Sequence, residues 1–104
     1  MPERGFVVEF TVANVMHLRF VTERGRVVEF AVQYEANVDG VWYRVMRYDS
    51  AHGYPHRDVL DPQGNTVQKE PVNLSYAEAF TFAYDDIEAN WPRYREEFLR
   101  RMRS

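Results

Sequence analysis

The feature that most constrains the fold is a series of short segments in which apolar and polar side chains alternate. Such alternation is typical of strands with one buried and one solvent-facing side. The segments cover residues 6–12, 16–22, 26–36, 41–49 and 66–70. Turn signals lie between them or beside them: Arg24-Gly25, Asp39-Gly40 and Asp61-Pro62-Gln63-Gly64. Because Asp-Gly tolerates positive φ at both positions, it favours a two-residue hairpin. The sequence therefore predicts an antiparallel meander of five or six strands.

Two of these segments are near copies of each other. Residues 3–12 and 23–32 are identical at eight of ten positions. We therefore expect both to form strands, with Phe10 and Phe30 buried in equivalent orientations. The second segment is predicted to place one set of apolar side chains together: Val28, Phe30, Val32 and Tyr34. The first segment is a free hydrophobic strand in this arrangement, which predicts that the protein forms a homodimer through it.

The apolar period changes to that of a helix after residue 71. Ser75-Tyr76-Ala77-Glu78 has the pattern of a capping box, in which serine and glutamate cap the first turn. Asn90-Trp91-Pro92 interrupts the helical pattern, and Pro92 suits the first turn of a second helix that runs to about Met102. The sequence thus predicts a single α+β domain over residues 1–104, with two C-terminal helices packed on one face of the sheet.

Composition excludes several classes of chemistry. The 104 residues include no cysteine, so disulfides, thiolate catalysis and zinc-thiolate sites are excluded. With no signal-peptide pattern at the start, this predicts a cytoplasmic protein. No apolar run approaches membrane-spanning length, so no membrane partner is expected. The net charge is −3, and any contact with RNA must therefore use a local basic patch.

The residues best suited to chemistry are concentrated between positions 47 and 58. This segment holds two of the three histidines, with two arginines, two aspartates and two tyrosines. If residues 50–55 form the loop of a hairpin, complementary side chains face each other. The predicted pairs are Asp49–His56, Tyr48–Arg57, Arg47–Asp58, Met46–Val59, Val45–Leu60 and Arg44–Asp61. This register places four polar side chains on one face at the loop end: Arg47, Asp49, His56 and Asp58.

Three hypotheses account for this motif. In the first, the protein is a non-catalytic interaction domain, and the motif is a structural or partner-binding loop whose cross-strand pairs fix the register. In the second, the motif is the active site of a metal-independent ribonuclease that needs no cofactor. In the third, it binds a metal ion through four side chains: Asp49, His52, His56 and Asp58.

The ribonuclease hypothesis gives each residue a role. His52 and His56 would transfer protons, because the pKa of an ordinary histidine lies near neutrality, and Asp49 would orient His56. Arginine holds phosphate through two parallel hydrogen bonds, which suits Arg47 or Arg57. The remaining predicted substrate-binding residues are Tyr48 and Tyr54, which offer stacking surfaces for bases, and Asp58.

Residues 47–53, Arg-Tyr-Asp-Ser-Ala-His-Gly, followed by Pro55-His56-Arg57-Asp58, resemble a motif in a family of small prokaryotic proteins of uncharacterised function. Residues 90–94, Asn-Trp-Pro-Arg-Tyr, are similar to that family too. The motif also has a distant likeness to TumE-type toxin components, which carry Arg-Tyr/Trp-Asp-Asn-Ala before Phe-Pro-His-His. That likeness implies an RNA-targeting toxin that pairs with a helix-turn-helix antitoxin. Here Ser50 replaces the asparagine and Arg57 the second histidine.

Overall fold

A computed structural model describes residues 2–103 as one six-stranded antiparallel sheet followed by one long helix. The elements are β1 (Glu3–Thr11), β2 (Asn14–Glu23), β3 (Arg26–Val38), β4 (Val41–Asp49), β5 (His56–Leu60), β6 (Thr66–Pro71) and α1 (Tyr76–Arg103). Each strand pairs with its sequence neighbours, so β1 and β6 are the two edges. The α+β class and the meander are confirmed, with six strands.

Backbone geometry confirms the predicted hairpin turns. Asp39 and Gly40 have φ values of 53° and 86°, and Arg24 and Gly25 have values of 52° and 77°. Positive φ at both central residues matches the right-handed twist of the flanking strands. These turns bring β2, β3 and β4 into consecutive antiparallel pairs.

The two copies of the repeated segment flank the same strand, since β1 and β3 both pair with β2. Phe10 and Phe30 point toward α1, as predicted: Phe10 stacks on Trp91 at 5.5 Å, and Phe30 meets Phe80 edge-on at 6.1 Å. The expectation of equal burial is wrong. Phe30 is fully buried, whereas Phe10 is half-buried because β1 lies at the edge of the sheet.

Two register shifts change which valines face the core. Between β2 and β3, Thr22 pairs with Val27 and the next pair is Val21–Glu29, so Val28 is an extra residue. Val27 packs against the core instead, and Val28 is exposed, so the prediction is wrong for Val28, whereas Phe30, Val32 and Tyr34 lie in the core as predicted. A second shift between β3 and β4 makes Val45 the extra residue. Bulges of this kind bend the bulged strand and increase its twist.

The C-terminal region is one continuous helix, so the prediction of two helices is wrong. Pro92 lies inside α1 although proline removes a helix hydrogen bond and clashes with the preceding turn. Apolar packing continues on both sides of it, through the buried side chains Ala79, Ala83, Ile87, Tyr94 and Phe98. Burial along the whole length therefore outweighs the local effect of the proline.

The start of the helix follows the predicted capping box. The Glu78 N–H donates to Ser75 Oγ, and the Ser75 N–H donates to Glu78 Oε1, both at 3.2 Å. The hydrogen bond from Ser75 lowers the pKa of the Glu78 carboxyl. Reciprocal bonds of this kind satisfy backbone donors that have no partner in the first turn.

Helix α1 covers one face of the sheet, which we call the helix face. Its core side chains in the sheet include Leu18, Val32, Tyr34, Met46 and Tyr48. Since successive side chains of a strand point to opposite sides, their neighbours lie on the other face, which we call the far face. The far-face side chains used below are His17, Arg19, Gln33, Glu35, Arg47, Asp49, His56 and Asp58.

Candidate functional site

The hairpin of β4 and β5 has the predicted register at its loop end. The observed partners are Met46–Val59, Arg47–Asp58, Tyr48–Arg57 and Asp49–His56. A short 3-10 turn over Ala51–Gly53 forms the loop. The two pairs predicted beyond these, Val45–Leu60 and Arg44–Asp61, are absent from the described register, because the bulge at Val45 interrupts the pairing.

The sheet divides the motif between its two faces. Tyr48 lies in the core beneath α1, and its partner Arg57 lies on the same side. The other four predicted residues of the hairpin meet on the far face: Arg47, Asp49, His56 and Asp58. Tyr48 and Arg57 therefore cannot act on a ligand held by the far-face residues.

Asp49 is the centre of the far-face cluster. Its Oδ1 lies 2.9 Å from His56 Nε2 and accepts a hydrogen bond from the Ala51 N–H at 3.1 Å. Its Oδ2 accepts a hydrogen bond from Arg47 Nε at 2.5 Å. An oxygen of a second carboxylate, Asp58 Oδ2, lies 3.5 Å from His56 Nε2, while Asp58 Oδ1 is buried and has no hydrogen-bond partner among residues 2–103. Both carboxylates therefore lie against the same ring nitrogen of His56.

The His56 ring is enclosed rather than presented to solvent. It is 2% exposed, and its Nδ1 lies 3.3 Å from the Tyr54 carbonyl oxygen. Each ring nitrogen thus lies near an oxygen atom of the fold. A general acid or base must reach the proton it transfers, and the His56 ring is almost closed to solvent in this arrangement.

His52 and Tyr54 lie beside His56 on the loop and are exposed. Their rings are 5.5 Å and 5.6 Å from the His56 ring. The backbone of His52 is left-handed, with φ of 71°, a conformation uncommon for a residue other than glycine. Of the predicted proton-transfer residues, His52 is the one that solvent reaches.

A hydrogen-bond network continues from the cluster across the far face. Arg47 Nη1 donates to Gln33 Oε1 at 3.0 Å, and Gln33 Nε2 donates to Glu35 Oε2 at 2.7 Å. His17 Nε2 lies 3.5 Å from the same glutamate oxygen. Sequence reasoning missed Gln33 and Glu35. The cross-strand alignment of His17, Gln33 and Arg47 is the signal that would have found them.

The network leaves little positive charge for a phosphate. Asp49 and Asp58 lie beside the imidazole, and the Arg47 guanidinium is already bonded to Asp49 and Gln33. A cavity of about 500 Å³ adjoins the network toward β1, but the arginines on its lining are bonded as well, since Arg19 pairs with Glu3 and Glu29. Both of these arginines are therefore already paired with carboxylates.

A second polar cluster joins the sheet to α1 on the helix face. Asp86 accepts hydrogen bonds from the Tyr48 hydroxyl at 2.6 Å, the Tyr94 hydroxyl at 2.7 Å and Asn90 Nδ2 at 2.9 Å. Burial, together with the bond to Asp86, raises the pKa of both tyrosines. Asp86, Asn90 and Tyr94 are spaced at i, i+4 and i+8 across Pro92, so this cluster also supports the helix there.

Arg57 lies at the edge of this second cluster rather than near the histidines. Its Nη1 donates to Glu70 Oε1 at 2.8 Å, and its guanidinium carbon is 5.4 Å from the centre of the Tyr94 ring. Sequence reasoning assigned Arg57 to a substrate and missed Asp86 and Tyr94. The helical spacing of those two residues was the available signal.

The metal hypothesis finds no support in the described geometry. Within residues 2–103, no group of three or more histidine, aspartate or glutamate side chains is arranged to hold a metal ion. In the same part of the chain, no helix combines the length and apolar character needed to cross a membrane.

Comparison with known proteins places the chain in a family. The model of a family described as "Domain of unknown function (DUF7718)" matches residues 1–104. The chain belongs to the DUF7718 family. No curated protein and no solved structure matches it. In this DUF7718 chain the predicted site residues fall into three groups: the far-face cluster, the exposed loop pair His52 and Tyr54, and the helix-face pair Tyr48 and Arg57.

Proposed function

We propose that the protein is a non-catalytic interaction domain, which binds a β-strand of another polypeptide along the outer edge of β1. The observation that carries the proposal is the composition and exposure of that edge. Strand β1 has nine residues, and among residues 2–103 no element pairs with its outer side. An unpaired strand edge is a template for strand addition.

The hydrogen-bond pattern identifies which backbone groups point outward. The Thr22 N–H donates to the Pro2 carbonyl oxygen at 3.1 Å. Antiparallel pairs alternate between bonded and non-bonded, so the bonded pairs with β2 are Arg4–Phe20, Phe6–Leu18 and Val8–Met16. The residues between them turn their N–H and C=O groups to the outer edge: Glu3, Gly5, Val7 and Glu9.

The centre of this edge is apolar and exposed. Phe6 is 55% exposed and Val7 is 61% exposed. Phe6 borders an apolar groove of about 360 Å³ between β1 and α1, which Phe20, Phe80 and Tyr84 also line. In strand addition, main-chain bonds supply affinity and pockets for alternate side chains supply specificity. The β1 edge offers both.

Strand β6, at the opposite edge of the sheet, carries residues that prevent pairing with another strand. Strand β6 carries Lys69 and Glu70 and ends at Pro71. Charged side chains and proline are devices by which proteins prevent edge pairing. In β1 the charged residues Glu3, Arg4 and Glu9 lie toward the ends, so the central stretch from Gly5 to Val8 has no such protection.

In this proposal the 47–58 motif is a structural hairpin. Its buried cluster fixes the register of β4 and β5, and the network through Gln33 extends that constraint to β3. A fixed register keeps every side chain on its proper face of the sheet. The motif then serves binding indirectly, because it makes the sheet that presents β1 rigid.

RNA cleavage is the second candidate function, with RNA as substrate and a helix-turn-helix antitoxin as partner. One observation favours it: the exposed His52 ring lies 5.5 Å from His56, and His56 contacts Asp49 at 2.9 Å. A histidine oriented by an aspartate is a common arrangement in general acid–base catalysis. Burial of His56 and the carboxylates around it place this candidate second.

A labelled peptide of residues 3–11 tests strand addition. Val7→Pro removes an outward N–H, and proline is tolerated on edge strands. The Val72 N–H donates to the Pro55 carbonyl oxygen, so by the same alternation Lys69 points its N–H outward from β6. Lys69→Pro is therefore the matched control at the other edge. We expect saturable binding to wild type and to Lys69→Pro, and at least about tenfold weaker binding to Val7→Pro. Equal binding to both proline variants, or no binding to wild type, would overturn the proposal.

A further inference from the structure

The sequence of β1 indicates which polypeptide pairs with its outer edge. We infer that it is a second copy of this chain, paired antiparallel through β1 so that Val7 lies opposite the partner's Val7. This inference rests on the proposed function, because it names the partner for the same edge. A two-fold axis through this pair would join two sheets into one, with both copies of α1 on the same side.

The position of Val7 favours this register. Val7 is the midpoint of Glu3–Thr11, so pairing about it uses all nine residues of the strand. Its N–H and C=O groups point outward, so Val7 can form a hydrogen-bonded pair with the partner's Val7. Registers centred elsewhere leave residues of β1 unpaired.

Charge also distinguishes the registers. With Val7 opposite itself, Glu3 faces the partner's Thr11 and Gly5 faces the partner's Glu9, so no like charges meet. Centring the pair on Phe6 would place Glu3 opposite the partner's Glu9, and like charges directly opposite are destabilising. Centring it on Val8 would place the carboxylate of Glu9 against the partner's Val7.

The same register covers the exposed apolar side chains. On the helix face, Phe6 faces the partner's Val8, and the two copies of Phe6 are diagonal neighbours within reach of aromatic side chains. On the far face, the two copies of Val7 cover each other. The partner's Glu9 lies opposite Gly5, which has no side chain and is paired on its inner side with Arg19. The second copy thereby adds a carboxylate to the rim of the 500 Å³ cavity that Gly5 and Arg19 line.

Introduced cysteines test the register, because the chain has none of its own. In a bonded antiparallel pair the Cα atoms are about 5.5 Å apart, which a disulfide can span. Val7→Cys should therefore form a disulfide-linked dimer under mild oxidation. Gly5→Cys alone should not, since the two copies would be about 13 Å apart. A mixture of Gly5→Cys and Glu9→Cys should form the mixed disulfide.

Light scattering at increasing protein concentration completes the experiment. We expect wild type and Lys69→Pro to dimerise and Val7→Pro to stay monomeric. If wild type stays monomeric while the peptide still binds it and not Val7→Pro, the second copy is the wrong occupant and the proposed function stands. If Gly5→Cys crosslinks to itself and Val7→Cys does not, the register is overturned. If the peptide of residues 3–11 binds Val7→Pro and Lys69→Pro equally well, both strand addition at β1 and the dimer through β1 are wrong.

Discussion

The Nε2 atom of His56 lies 2.9 Å from Oδ1 of Asp49, on the sheet face opposite the helix, and the imidazole is almost completely buried. This contact ties the loop end of the β4–β5 hairpin to the turn that follows β4, because the same oxygen accepts the Ala51 N–H. These contacts favour a structural role for His56, whose ring is almost closed to solvent.

Removing this imidazole should therefore destabilise the protein. Because the site is buried, the Asp49 carboxylate is left partly unsatisfied when His56 is lost. We expect His56→Ala to lower the free energy of unfolding by about 2–4 kcal/mol. Urea denaturation measures this. His17→Ala, at a half-exposed histidine that contacts Glu35, is the control and should cost less than about 1 kcal/mol. Equal losses in the two variants would contradict the structural role of His56.

The left-handed backbone at position 52 should favour glycine over histidine or alanine. Its φ of 71° favours glycine over other residues by about 1 kcal/mol. We expect His52→Gly to be more stable than His52→Ala by that amount. The order should reverse at Tyr54, where the backbone is extended. Thermal denaturation of the four variants decides this, and a His52→Ala protein as stable as His52→Gly would count against the left-handed loop.

The RNA hypothesis is tested with the His52 variants, because they leave the buried cluster intact. We expect purified wild-type protein to leave total RNA intact in the presence of excess chelator. Cleavage that His52→Ala abolishes would instead establish the enzyme. Arg47→Lys is the companion variant, since lysine keeps the charge and loses the paired hydrogen bonds of arginine.

Replacing Pro92 tests whether α1 is one continuous helix, because the sign of the change in the free energy of unfolding differs between one helix and two. Inside a helix, proline is about 3 kcal/mol less favourable than alanine. We expect Pro92→Ala to raise the free energy of unfolding by about 1–3 kcal/mol. At the first turn of a separate helix proline is favourable, so Pro92→Ala would then be neutral or destabilising. Denaturant unfolding of this one variant distinguishes one helix from two.

The raised pKa values of Tyr34, Tyr48 and Tyr94 should make the protein less stable at alkaline pH. Burial raises the pKa of Tyr34 to about 12, and burial with the Asp86 hydrogen bond raises the pKa of Tyr48 and Tyr94. An unfolded tyrosine ionises near pH 10, so above that value the unfolded state releases protons that the folded state retains. The contribution of these tyrosines to stability should be constant below about pH 10 and fall as pH rises toward about 12. Tyr48→Phe should lose less stability over that interval. A wild-type protein equally stable at about pH 9 and about pH 11 would contradict this.

Local complementarity was sufficient to predict the hairpin around 47–58. Each side chain there has a chemically suited partner directly across, so only one register satisfies both faces. The turns were also predictable, because aspartate and glycine in Asp39-Gly40 tolerate positive φ and Gly25 supplies one such position in the turn at Arg24-Gly25.

Features that depend on distant residues could not be predicted in this way. The Tyr48–Asp86 bond joins positions 38 residues apart, and no local pattern specifies it. Pro92 carries a strong local signal for a helix boundary, which packing on both sides overrides. The bulges at Val28 and Val45 leave no trace in the alternation of apolar residues, so the face of Val28 was assigned incorrectly.

Amide hydrogen exchange along β1 tests the central claim most directly. The N–H groups of Arg4, Phe6 and Val8 bond to β2 and should be protected at every concentration. Those of Gly5, Val7 and Glu9 point outward, and we predict that they become protected as protein concentration rises or when the peptide of residues 3–11 is added. If these three amides exchange at the unprotected rate under all of these conditions, no strand is added to β1 and the account is contradicted.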